Sequence, residues 1–127
     1  MDINKQIEEQ FPGAYLKALD INYKPTIATV KYALVEIVGR DDPQEKFVIY
    51  FEEFVKPMIP NKTNMATMRD LLGVETDTWA GQKVTLFSIK VNVKGELKDG
   101  IRIREADGQL VEQVATQAKL EAAPVEL

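Results

Sequence analysis

Cysteine and histidine are both absent from the 127 residues. Their absence excludes disulfides, thiolate nucleophiles, zinc sites of the Cys/His type and histidine general bases. Long apolar runs are missing too, and none approaches the ~20 residues that span a bilayer as a helix. The first ten residues, Met-Asp-Ile-Asn-Lys-Gln-Ile-Glu-Glu-Gln, are charged and lack the apolar stretch of a secretion signal. A soluble, cytoplasmic protein with no membrane contact is therefore expected.

Motifs of catalysis are equally scarce. No GxGxxG, Walker A, GxSxG or HExxH sequence occurs. Asp41, Asp42 and Glu45 lack the spacing of a calcium loop and suit a solvated turn. Glu52 and Glu53 are adjacent, so on a strand they point to opposite faces and cannot act on one substrate together. The reading is a binding module, not an enzyme, with no cofactor and no metal.

What remains is an ordinary globular composition, 45% apolar and 28% charged. That is enough for one domain, expected over residues 1–108, with a polar tail over 109–127 that is partly helical or disordered. The net charge of −4 is unevenly spread. Residues 55–104 carry nine Lys/Arg against five Asp/Glu, and the remainder carries seven against fifteen. The second half is mildly basic, and the acidic groups gather in the first half and the tail.

Patterning places a short helix over residues 2–10, ended by Phe11-Pro12-Gly13, then a lead-in over 15–20 whose Tyr15, Leu16 and Leu19 cover a core edge. Residues 26–38 read as a long first strand, and its length predicts a bend or bulge midway. A polar turn at 39–43 leads to a second strand over 46–54. A short third strand over 55–61 is limited by Pro57 and Pro60. Thr63 or Asn64 is placed to cap a helix whose Met65, Met68, Leu71 and Leu72 form a stripe, with Gly73 to stop it. Trp79 anchors the following loop, residues 83–93 and 97–104 form the last two strands, and residues 94–96 turn between them.

The order strand, strand, strand, helix, strand, strand predicts a mainly β, five-stranded barrel of the OB type. One helix lies between strands three and four, with Leu72 and Trp79 as its plug. A different α+β sandwich of the same strands is the alternative.

Several segments share a pattern. Pro60-Asn61-Lys62-Thr63-Asn64, Leu71-Leu72-Gly73, Asp77-Thr78-Trp79-Ala80-Gly81-Gln82-Lys83 and Gly100-Ile101-Arg102-Ile103-Arg104 follow one another over most of residues 15–104. In this the chain resembles a family of small phage and prophage proteins, most without an assigned activity, with an L-N-K-T-N … W-x-G-K … I-R-I-R pattern. Pro60 departs from it, where an aliphatic residue is usual, and so does Gln82, where Lys is common. The resemblance implies an OB-like barrel serving phage or mobile-element DNA replication or recombination, and brings no catalytic residue.

Candidate binding residues come from charge and rings. Arg102 and Arg104 alternate with Ile101 and Ile103, so both guanidinium groups share one strand face about 7 Å apart, a spacing suited to successive phosphates. Lys62 and Asn64 sit at the start of the helix, where Lys62 would meet a phosphate and the asparagines either contact the ligand or cap the helix. Lys90, with Tyr32, Tyr50 and Phe87 as stacking rings, completes the set. Single-stranded DNA or RNA is the expected partner, and the acidic tail is a candidate for contacting other proteins. The alternative is a structural or protein-interaction module of a phage particle, in which Arg102 and Arg104 pair internally with Glu52 or Glu53. Nothing in the sequence fixes the oligomeric state.

Overall fold

A computed structural model describes residues 13–108, together with Ile3. The expected helix over 2–10 (apart from Ile3) and the tail over 109–127 lie outside the described residues. Four strands form one antiparallel sheet: β1 (Thr26–Val38), β2 (Gln44–Phe51), β3 (Lys83–Val93) and β4 (Glu96–Glu105), in the order β2-β1-β3-β4. One helix, α1 (Lys62–Leu72), lies between β2 and β3, with 3-10 turns at Ala18–Ile21 and Thr76–Thr78.

The expected five-stranded barrel is thus corrected to an open four-stranded sheet. The third strand fails to form. Met58 exchanges two backbone hydrogen bonds of 2.8 Å with Ile49, and that single bridge is all the pairing it makes. Pro57 and Pro60 flank it and have no N–H to extend a ladder. Without a fifth strand, β4 keeps a free edge and the sheet does not close.

The long first strand holds the sheet together, as its length predicts. Its first four residues, Thr26 to Thr29, pair with β3, and Val30 onward pairs with β2. The change of partner falls at a register shift between Val30 and Tyr32. There Val30 turns its backbone to the loop before β3, accepting from the Gly81 N–H at 2.8 Å and donating to the Gln82 carbonyl at 2.9 Å. Beyond the bulge the β1–β2 and β3–β4 hairpins separate into two arms. The second arm turns through Lys94 and Gly95, both left-handed, the pair of conformations that a two-residue hairpin turn matching strand twist requires.

One face of the sheet carries the core. Ala28, Val30, Ile49, Phe51, Val84, Leu86, Ile101 and Ile103 pack there with Met58, Met68 and Trp79. Trp79 meets Phe47 edge-on, ring centroids 5.9 Å apart, and its indole N–H donates to the Gly73 carbonyl at 3.0 Å. Leu16 packs against the same cluster, and its N–H donates to the Pro57 carbonyl at 2.8 Å.

The N-cap of helix α1 lies two residues before Thr63 and three before Asn64, the expected caps. Asn61 is the N-cap, its Oδ1 accepting from the Asn64 N–H at 2.9 Å. At the other end Gly73 adopts φ +100, which a residue with a side chain resists, and its N–H donates to the Arg69 carbonyl. The buried stripe also differs from the expected one. Met65 and Leu71 are exposed, and the helix turns Asn64, Met68 and Leu72 inward at i, i+4, i+8. Replacing Asn61 by alanine is expected to cost about 1 kcal/mol, seen as a lower urea midpoint with an unchanged slope. An unchanged midpoint would mean that packing alone fixes the helix start.

Candidate nucleic-acid interface

Pairing between β3 and β4 sets Phe87 opposite Arg102 and Thr85 opposite Arg104. Leu86, Ile101 and Ile103 belong to the core, so alternation turns Phe87, Arg102 and Arg104 to the other face of the sheet. The Arg104 guanidinium lies over the Phe87 ring, 5.0 Å from its centroid. Arg102 makes only a long 3.5 Å contact to the Ile101 carbonyl. Neither arginine has a carboxylate partner among the described residues. Glu53 is occupied elsewhere, its carboxylate accepting from both the backbone N–H and the hydroxyl of Thr29 at 2.6 Å.

Tyr32 and Tyr50 face each other across β1 and β2 and stack, centroids 4.6 Å apart. Ile49, Phe51 and Ala33 serve the core, so this pair too looks away from it, on the face that carries the arginines. The two groups are not adjacent. Ile27, Thr29 and Thr85 lie between them on that face and are buried. Asp107 covers part of this ground, its N–H donating to the Thr85 hydroxyl at 2.8 Å. Tyr32 is 43% exposed and offers a ring surface, while Tyr50 is half-buried beneath it.

The Tyr50 hydroxyl donates a short hydrogen bond to Glu36. That bond, with burial and the charge of the carboxylate, pushes the Tyr50 pKa up to about 12. Its folded pKa is raised above the unfolded value of ~10. The stability from this contact is therefore complete below pH ~10 and is lost as pH climbs toward 12. In an alkaline absorbance titration Tyr50 should ionise near pH 12, and Glu36→Gln should bring it back toward ~10. A single transition near 10 in the unsubstituted chain would show that the contact is absent in solution.

The remaining candidates are dispersed. Lys62 is exposed in the first turn of α1. Lys90 pairs with Asp99 at 2.6 Å, and its place in β3, four residues along from Leu86, puts it on the opposite face from the arginines. Asn64 is 2% exposed, and its Nδ2 donates to the Ile101 carbonyl at 2.9 Å, fastening the helix to the free edge of β4. Its Nδ2 is thus spent on the interior, while its Oδ1 is left without a hydrogen-bond partner among the described residues.

One ring was missed in the sequence. Tyr23 follows the first 3-10 turn, is 47% exposed, and lies beside a cleft with Arg102 on its opposite wall. The signal was faint: Asn22-Tyr23 precedes Pro25 in a turn, and only Asn is at ease in the left-handed conformation both adopt.

No group of three Asp or Glu side chains is arranged to hold a metal ion among the described residues. No helix among them is long and apolar enough to cross a membrane. Compared with known proteins, the chain matches no family model, no curated protein and no solved structure at a significant level.

Proposed function

We propose that this chain binds single-stranded nucleic acid along the outer face of β3 and β4, without catalysing a reaction on it. Arg102 and Arg104 neutralise neighbouring phosphates, and Arg104 is held in place by Phe87 beneath it. The observation that supports this most directly is the pair of guanidinium groups on one strand face with no carboxylate partner among the described residues. An arginine kept only for stability would ordinarily meet a carboxylate; of the two expected partners, Glu53 is engaged with Thr29 and Glu52 pairs with neither arginine. Affinity should be moderate and strongly salt-dependent, because each neutralised phosphate releases counterions. The acidic balance of the whole chain opposes nucleic acid of any kind, so binding depends on the local cations of this face. The setting of phage or mobile-element replication rests on the sequence pattern alone.

The test is a titration of labelled oligo-dT and oligo-rU with the full chain at several salt concentrations. Binding that weakens linearly in log salt is expected. No binding at 20–50 mM salt, the range in which such contacts are strongest, would end the proposal.

One observation favours a second reading, contact with another protein. Val35 and Ile37 continue the core face of β1 beyond Phe47 and stand 61% and 73% exposed. Apolar side chains projecting past a core suit a protein surface. Sedimentation of the chain with Val35→Lys and Ile37→Lys would separate the readings. Loss of self-association without loss of oligonucleotide affinity assigns the two surfaces different tasks.

A further inference from the structure

The missing fifth strand leaves a gap as well as a free edge. Between the first 3-10 turn, the segment around Met58 and the edge of β4 lies a cavity of about 700 Å³, within the roughly 300–1,000 Å³ range of small-ligand sites. Leu16, Met58 and Val91 give it apolar walls, Tyr23 stands beside it, and Arg102 lines the β4 side. We infer that this cleft is a pocket for one nucleobase of a bound strand, with Tyr23 as its stacking ring and Arg102 at the attached phosphate. The inference rests on the nucleic-acid reading above and specifies where one base goes.

Three observations converge on it. Tyr23 and Asn22 are consecutive left-handed residues, φ +57 and +54. A tyrosine adopts that conformation at a cost, and burial of its ring does not offset it, since the ring stays about half exposed beside the cleft. Two backbone bonds hold it there, from the Asn22 N–H to the Leu19 carbonyl at 2.9 Å and from the Tyr23 N–H to the Ala18 carbonyl at 3.0 Å. A left-handed tyrosine that lines a cavity and stays half exposed suits recognition better than packing.

Charge points the same way. Of the acidic groups nearby, Asp99 lines the cleft and is paired with Lys90, and Asp20 is paired with Lys56 at 3.1 Å. Arg102 remains as a cation without a carboxylate among the described residues, so the ligand that complements this end is anionic. Lys17 lines the same cleft, so its charged lining favours an anionic group such as the phosphate attached to the base.

The cleft also has unused space and unused polarity. Gly100 sits on the β4 wall in ordinary extended backbone, and a Cβ there would stand 3.6 Å from both Val91 methyl carbons. A Cβ is therefore accommodated in ordinary contact, and a larger residue would narrow the cleft from its β4 wall. Asn64 lines the cleft, and its Oδ1 is the buried side-chain atom left without a hydrogen-bond partner among the described residues. Because Nδ2 is committed to Ile101, what this amide has to spare is an acceptor, which the N–H groups of a base would satisfy.

The experiment uses the full chain with fluorescein-labelled dT15, and dT15 carrying a single 2-aminopurine. Tyr23→Gly removes the ring and relieves the left-handed strain, so its melting temperature should hold or rise while dT15 affinity falls about tenfold, the effect of one lost stacking contact. Tyr23→Phe should bind within twofold of the parent. Gly100→Val should narrow the cleft and reduce the change in 2-aminopurine fluorescence. Undiminished dT15 affinity in Tyr23→Gly, with affinity still dependent on Arg102 and Arg104, would overturn the pocket and leave the surface reading standing. Failure of the parent chain to bind any oligonucleotide would remove both.

Discussion

Replacing Arg102 and Arg104 together by alanine is expected to lower single-strand affinity about a hundredfold at low salt. Each charge-assisted contact contributes ~1.5–3 kcal/mol, and a factor of ten corresponds to about 1.4 kcal/mol. The salt dependence should flatten as well, by about 0.7 per phosphate for a single strand, so the slope of log affinity against log salt drops by roughly 1.4. The two effects together distinguish lost phosphate contacts from a damaged fold. Stability should hardly change, because what is given up is the contact of Arg104 with Phe87, about 0.5–1 kcal/mol at an exposed site. Equal salt slopes in parent and variant would mean that the arginines are not the phosphate contacts, whatever the loss of affinity.

Trp79→Ala is the substitution expected to damage stability most. The ring is 4% exposed, packs edge-on against Phe47, and ties the end of α1 to the loop before β3 through its bond to Gly73. Truncating a buried aromatic to alanine costs about 3–5 kcal/mol, against a typical total of 5–15 kcal/mol. The variant should lose most of its resistance to urea. Trp79→Phe keeps a ring but leaves the Gly73 carbonyl without its donor, and should lose about 1–2 kcal/mol. Since Trp79 is the sole tryptophan, circular dichroism is the suitable probe of both. A loss below about 1 kcal/mol for the alanine variant would show that the core closes without this ring.

These three residues also illustrate how unevenly the sequence could be read. That Trp79 is buried follows from its size and its place after a helix stop. That Arg102 and Arg104 share a face follows from the two-residue period of any strand. Their lack of a carboxylate partner does not follow. It depends on Glu53 being taken by Thr29, a contact between residues 24 positions apart. Asn64 shows the opposite failure. Its polarity suggested a surface role, yet the backbone of β4 offers it a partner and draws it inside.

The strands, the bulge in β1, the single internal helix and the glycine that ends it were legible because each is set by local rules: alternation, capping, and the φ angles glycine permits. Whether the strands closed into a barrel was not a local matter. It turned on how far the segment around Met58 could pair, and a proline on either side stopped it after one residue. Local pattern therefore determined the four strands that form, the facing of side chains along them and the place of the helix, but not its buried stripe. Tertiary packing decided that the sheet stays open, that a cleft remains beside its free edge, and that Tyr23 stands at that cleft with Arg102, since those depend on distances between segments that no local pattern encodes.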